Sequence, residues 1–182
     1  MSLPFQFIKL SLSILFIALS AQLSIDLPIG QTMIPITGQT FAVLLVGYFL
    51  GPIKGTIAVL AYVVLGLIGL PIFADGKSGL SVLTSGSGGY LVGFVAGAAI
   101  VGYCRNVDNQ PSFIRTIWIM AVGTVVILLF GVGRLIQLYG LDKGLAYGFY
   151  PFWRGALIKV LLGALVAWGI QHLKPRIIND LR

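Results

Sequence analysis

The sequence predicts an all-α integral membrane protein, a bundle of six transmembrane helices in a single domain covering residues 1–182. Three observations carry that expectation. Of the 182 residues, 58% are hydrophobic and only 9% are charged, against about 25% charged in an ordinary soluble domain. Mean hydropathy is +1.00, more apolar surface than a water-soluble fold of this length can hide. Apolar runs also follow one another along the whole chain, and a helix needs roughly 20 such residues to cross about 30 Å of hydrocarbon.

The six runs lie at about 7–25, 40–50, 56–70, 89–103, 114–138 and 152–173. The first holds a single Lys near its start and contains Ala18-Leu19-Ser20-Ala21, which together are similar to a secretory signal. Five more spans come after it, so it is expected to remain as an uncleaved first helix. Before the second span, Pro28 and Pro35 hold the connection extended; Gln39 and Thr40 then either cap the helix or face a pocket. Gly51-Pro52-Ile53-Lys54-Gly55 separates spans two and three and reads as a tight turn between antiparallel helices, because residues 40–70 as one helix would exceed a single crossing. Between spans three and four, residues 71–90 are rich in Gly and Ser yet carry Phe73, Leu80, Val82 and Leu83. That loop is either exposed or a lid tucked into the bundle, where irregular backbone is tolerated beside a cavity.

Charge and rare residues exclude several functions. Net charge is +7, but the twelve Lys and Arg are scattered singly, so no nucleic-acid partner is expected. All five acids are Asp, which removes acid–base chemistry on a Glu pair. One Cys (Cys104) and one His (His172) allow neither an internal disulfide nor a His/Cys metal cage. Gly76-Lys77-Ser78 is similar to the end of a phosphate-binding loop, but Pro71 stands where that motif needs Gly. Pumping would therefore draw its energy from another chain. With six spans both ends share a side, and Lys9, Lys54, Arg105, Arg115, Lys174, Arg176 and Arg182 mark it as cytoplasmic. Lys77, Arg134, Lys143 and Arg154 fall on the opposite side.

Small residues organise the helix faces. Gly89, Gly93 and Gly97 form one ladder, and Gly47, Gly51 and Gly55 another; both read as close helix packing in lipid. On the sixth span, Gly155, Lys159, Gly163 and Ala167 share a stripe. Lys159 either points into the bundle as a functional amine or snorkels along its stem to the headgroups.

Four ordered blocks then match a known pattern: Pro35-Ile36-Thr37-Gly38-Gln39-Thr40, Gly69-Leu70-Pro71-Ile72-Phe73, Gly88-Gly89-Tyr90-Leu91-Val92-Gly93-Phe94 and Gly155-Ala156-Leu157-Ile158-Lys159. Their order and spacing resemble the BioY family, the biotin-specific S components of energy-coupling factor (ECF) transporters. The resemblance runs from the first span to the sixth. It implies an S-component bundle in a prokaryotic plasma membrane, multi-pass with both termini cytoplasmic. It also implies capture of biotin from the outer side, and a transmembrane coupling subunit with two ABC-type ATPases as partners. No cofactor is implied; biotin is the transported ligand.

One departure stands out. The family's usual Pro-Gly-Asp-Leu-Ile-Lys block appears here as Arg154-Gly155-Ala156-Leu157-Ile158-Lys159. The missing carboxylate is a natural acceptor for ureido N–H groups. Its work either passes to Gln39, Asp75 or backbone carbonyls, or the ligand differs. The residues around Ile17-Ala18-Leu19-Ser20-Ala21 are small but lack the clean spacing of the family's docking patch.

Biotin suits the composition, with an apolar bicycle and chain, a neutral polar ureido group and an anionic tail. Phe73, Tyr90 and Trp153 are candidate walls; Lys159 meets either the ureido oxygen or the carboxylate, and Arg154 pairs with a carboxylate or with lipid headgroups. Trp153 and Tyr150 equally suit an interfacial belt. The alternatives are an S component for another vitamin and a non-catalytic membrane scaffold. No nucleophile with an orienting base is visible, so no enzyme is expected.

Overall fold

In a computed structural model of the chain, the backbone is described for residues 3–29, 32–108 and 111–180, and side chains for 6–24, 37–108 and 111–173. Lys174, Arg176 and Arg182, used above for sidedness, lie outside the described side chains. Helix α1 (Leu3–Gln22) buries Ile17, Ser20 and Ala21 against the bundle. The small residues that suggested a signal therefore serve packing. An added Cβ on Gly38 would lie 2.7 Å from the Ser20 carbonyl oxygen, so only glycine lets the next segment pass so close.

The connection that the prolines hold extended is a β-hairpin. Strand β1 (Ser24–Ile29) pairs antiparallel with β2 (Thr32–Thr37), in a register that sets Asp26 opposite Pro35. The Gly38 N–H closes its base on the Leu23 carbonyl at 3.0 Å. Sequence reading had the extension but not the pairing.

Helix α2 (Gln39–Leu67) is two helical arms that reverse at Gly51, whose φ of 79° is a conformation that favours glycine. Two contacts prove the reversal. The Gln39 Nε2 donates to the Tyr62 hydroxyl at 2.7 Å, although a straight helix would separate them by about 35 Å. An added Cβ on Gly55 would also lie 2.9 Å from the Gly47 Cα. The two arms are thus the antiparallel second and third spans. A short 3-10 turn (Ala74–Gly76) and helix α3 (Leu80–Thr84) follow. Helix α4 (Gly88–Val107) then packs on both neighbours, since added Cβ atoms on Gly89, Gly93 and Gly97 would all meet α5 (Phe113–Tyr139). The ladder is helix packing, as its spacing predicts.

Helix α6 (Leu141–Gly148) is a short element absent from the sequence-based spans, and α7 (Trp153–Asp180) completes six apolar helical segments in one bundle. Among the described residues, four helices, α2, α4, α5 and α7, are long and apolar enough to cross a membrane. The outward faces are apolar, with Leu129 66% and Leu165 55% exposed. Inside, Thr116 and Thr124 return their hydroxyl protons to their own helices, on Ser112 and Met120 carbonyls. That inversion is what lipid as solvent demands.

The two ends of the bundle differ in charge. An added Cβ on Gly102 would touch the Gly51–Pro52 turn, which brings Lys54 and Arg105 to one end. Arg115 joins them by pairing with Asp108 at 2.8 Å. Lys77 and Arg154 lie toward the other end, with the hairpin base and the start of α7.

Candidate functional site

At the hairpin end the bundle opens into a cavity. The space free of atoms there, open solvent at the mouth included, is about 810 Å³. Four helices wall it: Thr40 on α2, Tyr90 and Phe94 on α4, Ile127 on α5 and Ala156 on α7, with Phe152 from the turn just before α7. The hairpin end, the 3-10 turn and α3 roof it through Thr37, Ala74 and Val82. The Gly/Ser loop is therefore a tucked lid, held because Phe73 is only 2% exposed.

Phe73 is seated by its neighbours. Its ring meets Tyr62 edge-on at 5.6 Å between centroids, and its carbonyl accepts from Gln22 at 3.1 Å. A methyl on Gly66 would lie 2.2 Å from the ring tip. Gly66→Ala is accordingly expected to expel the ring and destabilise the lid by about 1–3 kcal/mol. Faster trypsin cleavage after Lys77 would register it, and an unchanged cleavage rate would contradict the notch.

A polar chain runs along one wall. The Thr37 hydroxyl donates to Gln39 Oε1 at 2.9 Å, Gln39 Nε2 donates to the Tyr62 hydroxyl, and that hydroxyl donates to the Ile72 carbonyl at 2.9 Å. Gln39 is 6% exposed and committed at both ends of its amide. Lys159 joins the chain by donating from Nζ to the Thr37 carbonyl. An ammonium has three donors, so two remain for the cavity. Lys159 points inward along the small-residue stripe; it does not snorkel.

The structure brings Gln39, Phe73, Tyr90 and Lys159 around one space. Tyr90 is fixed by its hydroxyl on the Gly148 carbonyl at 3.0 Å and by the Phe152 ring at 5.7 Å. Asp75 is not in the lining. It accepts from Ser24 at 3.0 Å and pairs with Lys77 at 3.0 Å; the Lys77 hydrogen bond holds its carboxyl below the usual carboxylate range. Trp153 and Arg154 stack on each other outside the cavity, with the guanidinium 5.3 Å from the indole centroid.

Helical phase explains that last separation. At about 100° per residue, Phe152 and Ala156 fall within about 60° of Lys159, whereas Arg154 and Trp153 fall about 140° and 120° away. The stripe already contained this signal. Lys77, whose incomplete phosphate-loop motif pointed to no ligand, is in the lining too, and the hydroxyls of Thr40 and Ser87 line the cavity without a hydrogen-bond partner among the described residues. Ala156, where the family's carboxylate is expected, faces this same space.

Comparison with known proteins agrees with this architecture. The chain matches the BioY family over residues 4–176. It is 36% identical over 173 residues to a biotin transporter BioY of Thermotoga maritima, covering 93% of this chain and 97% of the relative. To a biotin transporter BioY of Rhizobium etli it is 36% identical over 172 residues, covering 89% and 92%. A crystal structure of the S component for biotin from an ECF-type ABC transporter shares the fold, with a TM-score of 0.82, 24% identity, and 94% and 95% of the two chains covered. These relatives are transporters rather than enzymes. With the match spanning all six helical segments and every block that builds the cavity, the chain belongs to the BioY family.

Proposed function

We propose that this chain is the biotin-capturing S component of a vitamin uptake system, working as one domain in a prokaryotic plasma membrane. The observation that carries the reading is a mostly apolar cavity with the Lys159 ammonium and unpaired hydroxyls converging on it. Biotin needs that combination, since its bicycle and chain are apolar while its ureido group and carboxylate are polar. Lys159 offers donors to a ligand oxygen, and Phe73, Tyr90 and Phe152 enclose the hydrocarbon. The basic end of the bundle faces the cytoplasm in this reading, with both termini there, so the cavity opens outward. Energy comes from a coupling subunit and ABC-type ATPases, in keeping with the broken phosphate-loop motif around Gly76.

Titration of the purified full chain with labelled biotin is expected to give one site per chain. Folded protein with no detectable binding would overturn the assignment. Ala156 favours a second reading, an S component for a related vitamin. Gln39 and Asp75 are both committed elsewhere, so Thr40, Ser87 and backbone carbonyls are the acceptors left for a ureido group. Ala156→Asp is expected to tighten biotin binding by about two- to tenfold. If another vitamin displaces biotin from the unsubstituted protein at lower concentration, the second reading replaces the first.

A further inference from the structure

A second binding feature lies at the opposite end of the bundle, on the seam between α1 and α2. Lys9 of α1 and Lys54 beside the α2 reversal line one groove, with Leu10, Leu50 and Ile57 as its apolar walls. No acid lines it. A second groove shares Leu50 and continues along the seam past Leu12, Phe16 and Phe49. From Gln6 to Phe16 the seam is about 15 Å long by helix rise, or about half of the roughly 30 Å hydrocarbon. The seam is thus one leaflet deep, with two cations at its headgroup end and hydrocarbon walls beyond.

We propose that this seam binds an anionic phospholipid, its phosphate between Lys9 and Lys54 and one acyl chain along Leu12 and Phe16. The charge of the groove selects the headgroup. Exposed Leu12 and Phe49, at 59% and 44%, supply the tail's contact. Lys54 and Arg105 share this end of the bundle, so the surrounding potential is also positive. The binding rests on the seam alone and is independent of what the cavity takes.

The test titrates the detergent-solubilised full chain with phosphatidylglycerol or phosphatidylcholine of identical acyl chains, reading bound lipid by native mass spectrometry. The expected result is one preferentially retained phosphatidylglycerol, favoured by roughly tenfold or more. The double variant K9Q/K54Q should bind the two lipids equally while its biotin titration stays unchanged. Absence of headgroup preference in the unsubstituted protein, or its persistence in the double variant, would overturn the proposal. So would displacement of phosphatidylglycerol by inorganic phosphate at matched concentration, since the apolar seam would then contribute nothing.

Discussion

Replacing Lys159 with Met is expected to weaken biotin binding by about 1.5–3 kcal/mol, or roughly 10- to 150-fold, while leaving the protein as stable as before or more so. The two signs follow from one geometry. The Lys159 ammonium sits on the small-residue stripe of α7 and spends one donor on the Thr37 carbonyl. A ligand oxygen meeting the remaining donors gains a charge-assisted hydrogen bond that Met lacks. The empty protein, by contrast, carries the cost of an amine held between membrane helices, and Met removes that cost with similar volume. A structural lysine would behave differently, since its loss would lower the melting temperature. Isothermal titration with thermal unfolding in the same detergent reads both quantities. Unchanged affinity, or a parallel fall in affinity and melting temperature, would remove Lys159 from the site.

What was legible beforehand divides by physical type. The reversal at Gly51 was readable because Gly and Pro punctuate backbone in ways few other residues do, and the Gly89–Gly97 ladder because close packing in lipid selects small side chains. Lys159 was readable because a charge on such a stripe has few explanations. The hairpin was not, since Pro28 and Pro35 lack the N–H groups that announce a paired strand. The Thr37 carbonyl that receives Lys159 is a backbone group and leaves no trace in residue identity. Phe94, Ile127 and Phe152 wall the cavity with side chains that occur throughout any membrane helix. Arg154 and Trp153 were grouped with the site by proximity in sequence, although their phase around α7 separates them from it. The proposed site was therefore visible at its charged position and hidden where it is built from backbone or generic apolar residues.

Gly47→Leu is expected to cost about 3 kcal/mol or more and to deny the cavity its wall, for reasons that join packing to the site. Gly47 lies where three backbones converge. An added Cβ there would sit 2.6 Å from the Ala98 carbonyl oxygen and 2.9 Å from the Ala98 Cα on α4. On its other flank, the backbone of the second α2 arm approaches through Gly55. None of these atoms belongs to a side chain that can rotate away, so whole helices must part. When the arms part, Gln39 loses its reach to Tyr62, the polar chain behind Thr37 opens and the seat of Lys159 is lost with it. Gly133→Leu on α5 provides the contrast, because an added Cβ there meets nothing within 4 Å. The first variant should melt about 6–12 °C below the unsubstituted protein and bind little biotin, and the second should match it in both. A monodisperse Gly47→Leu protein with an unshifted melting temperature would mean that the α2 hairpin does not close against α4 as this geometry requires.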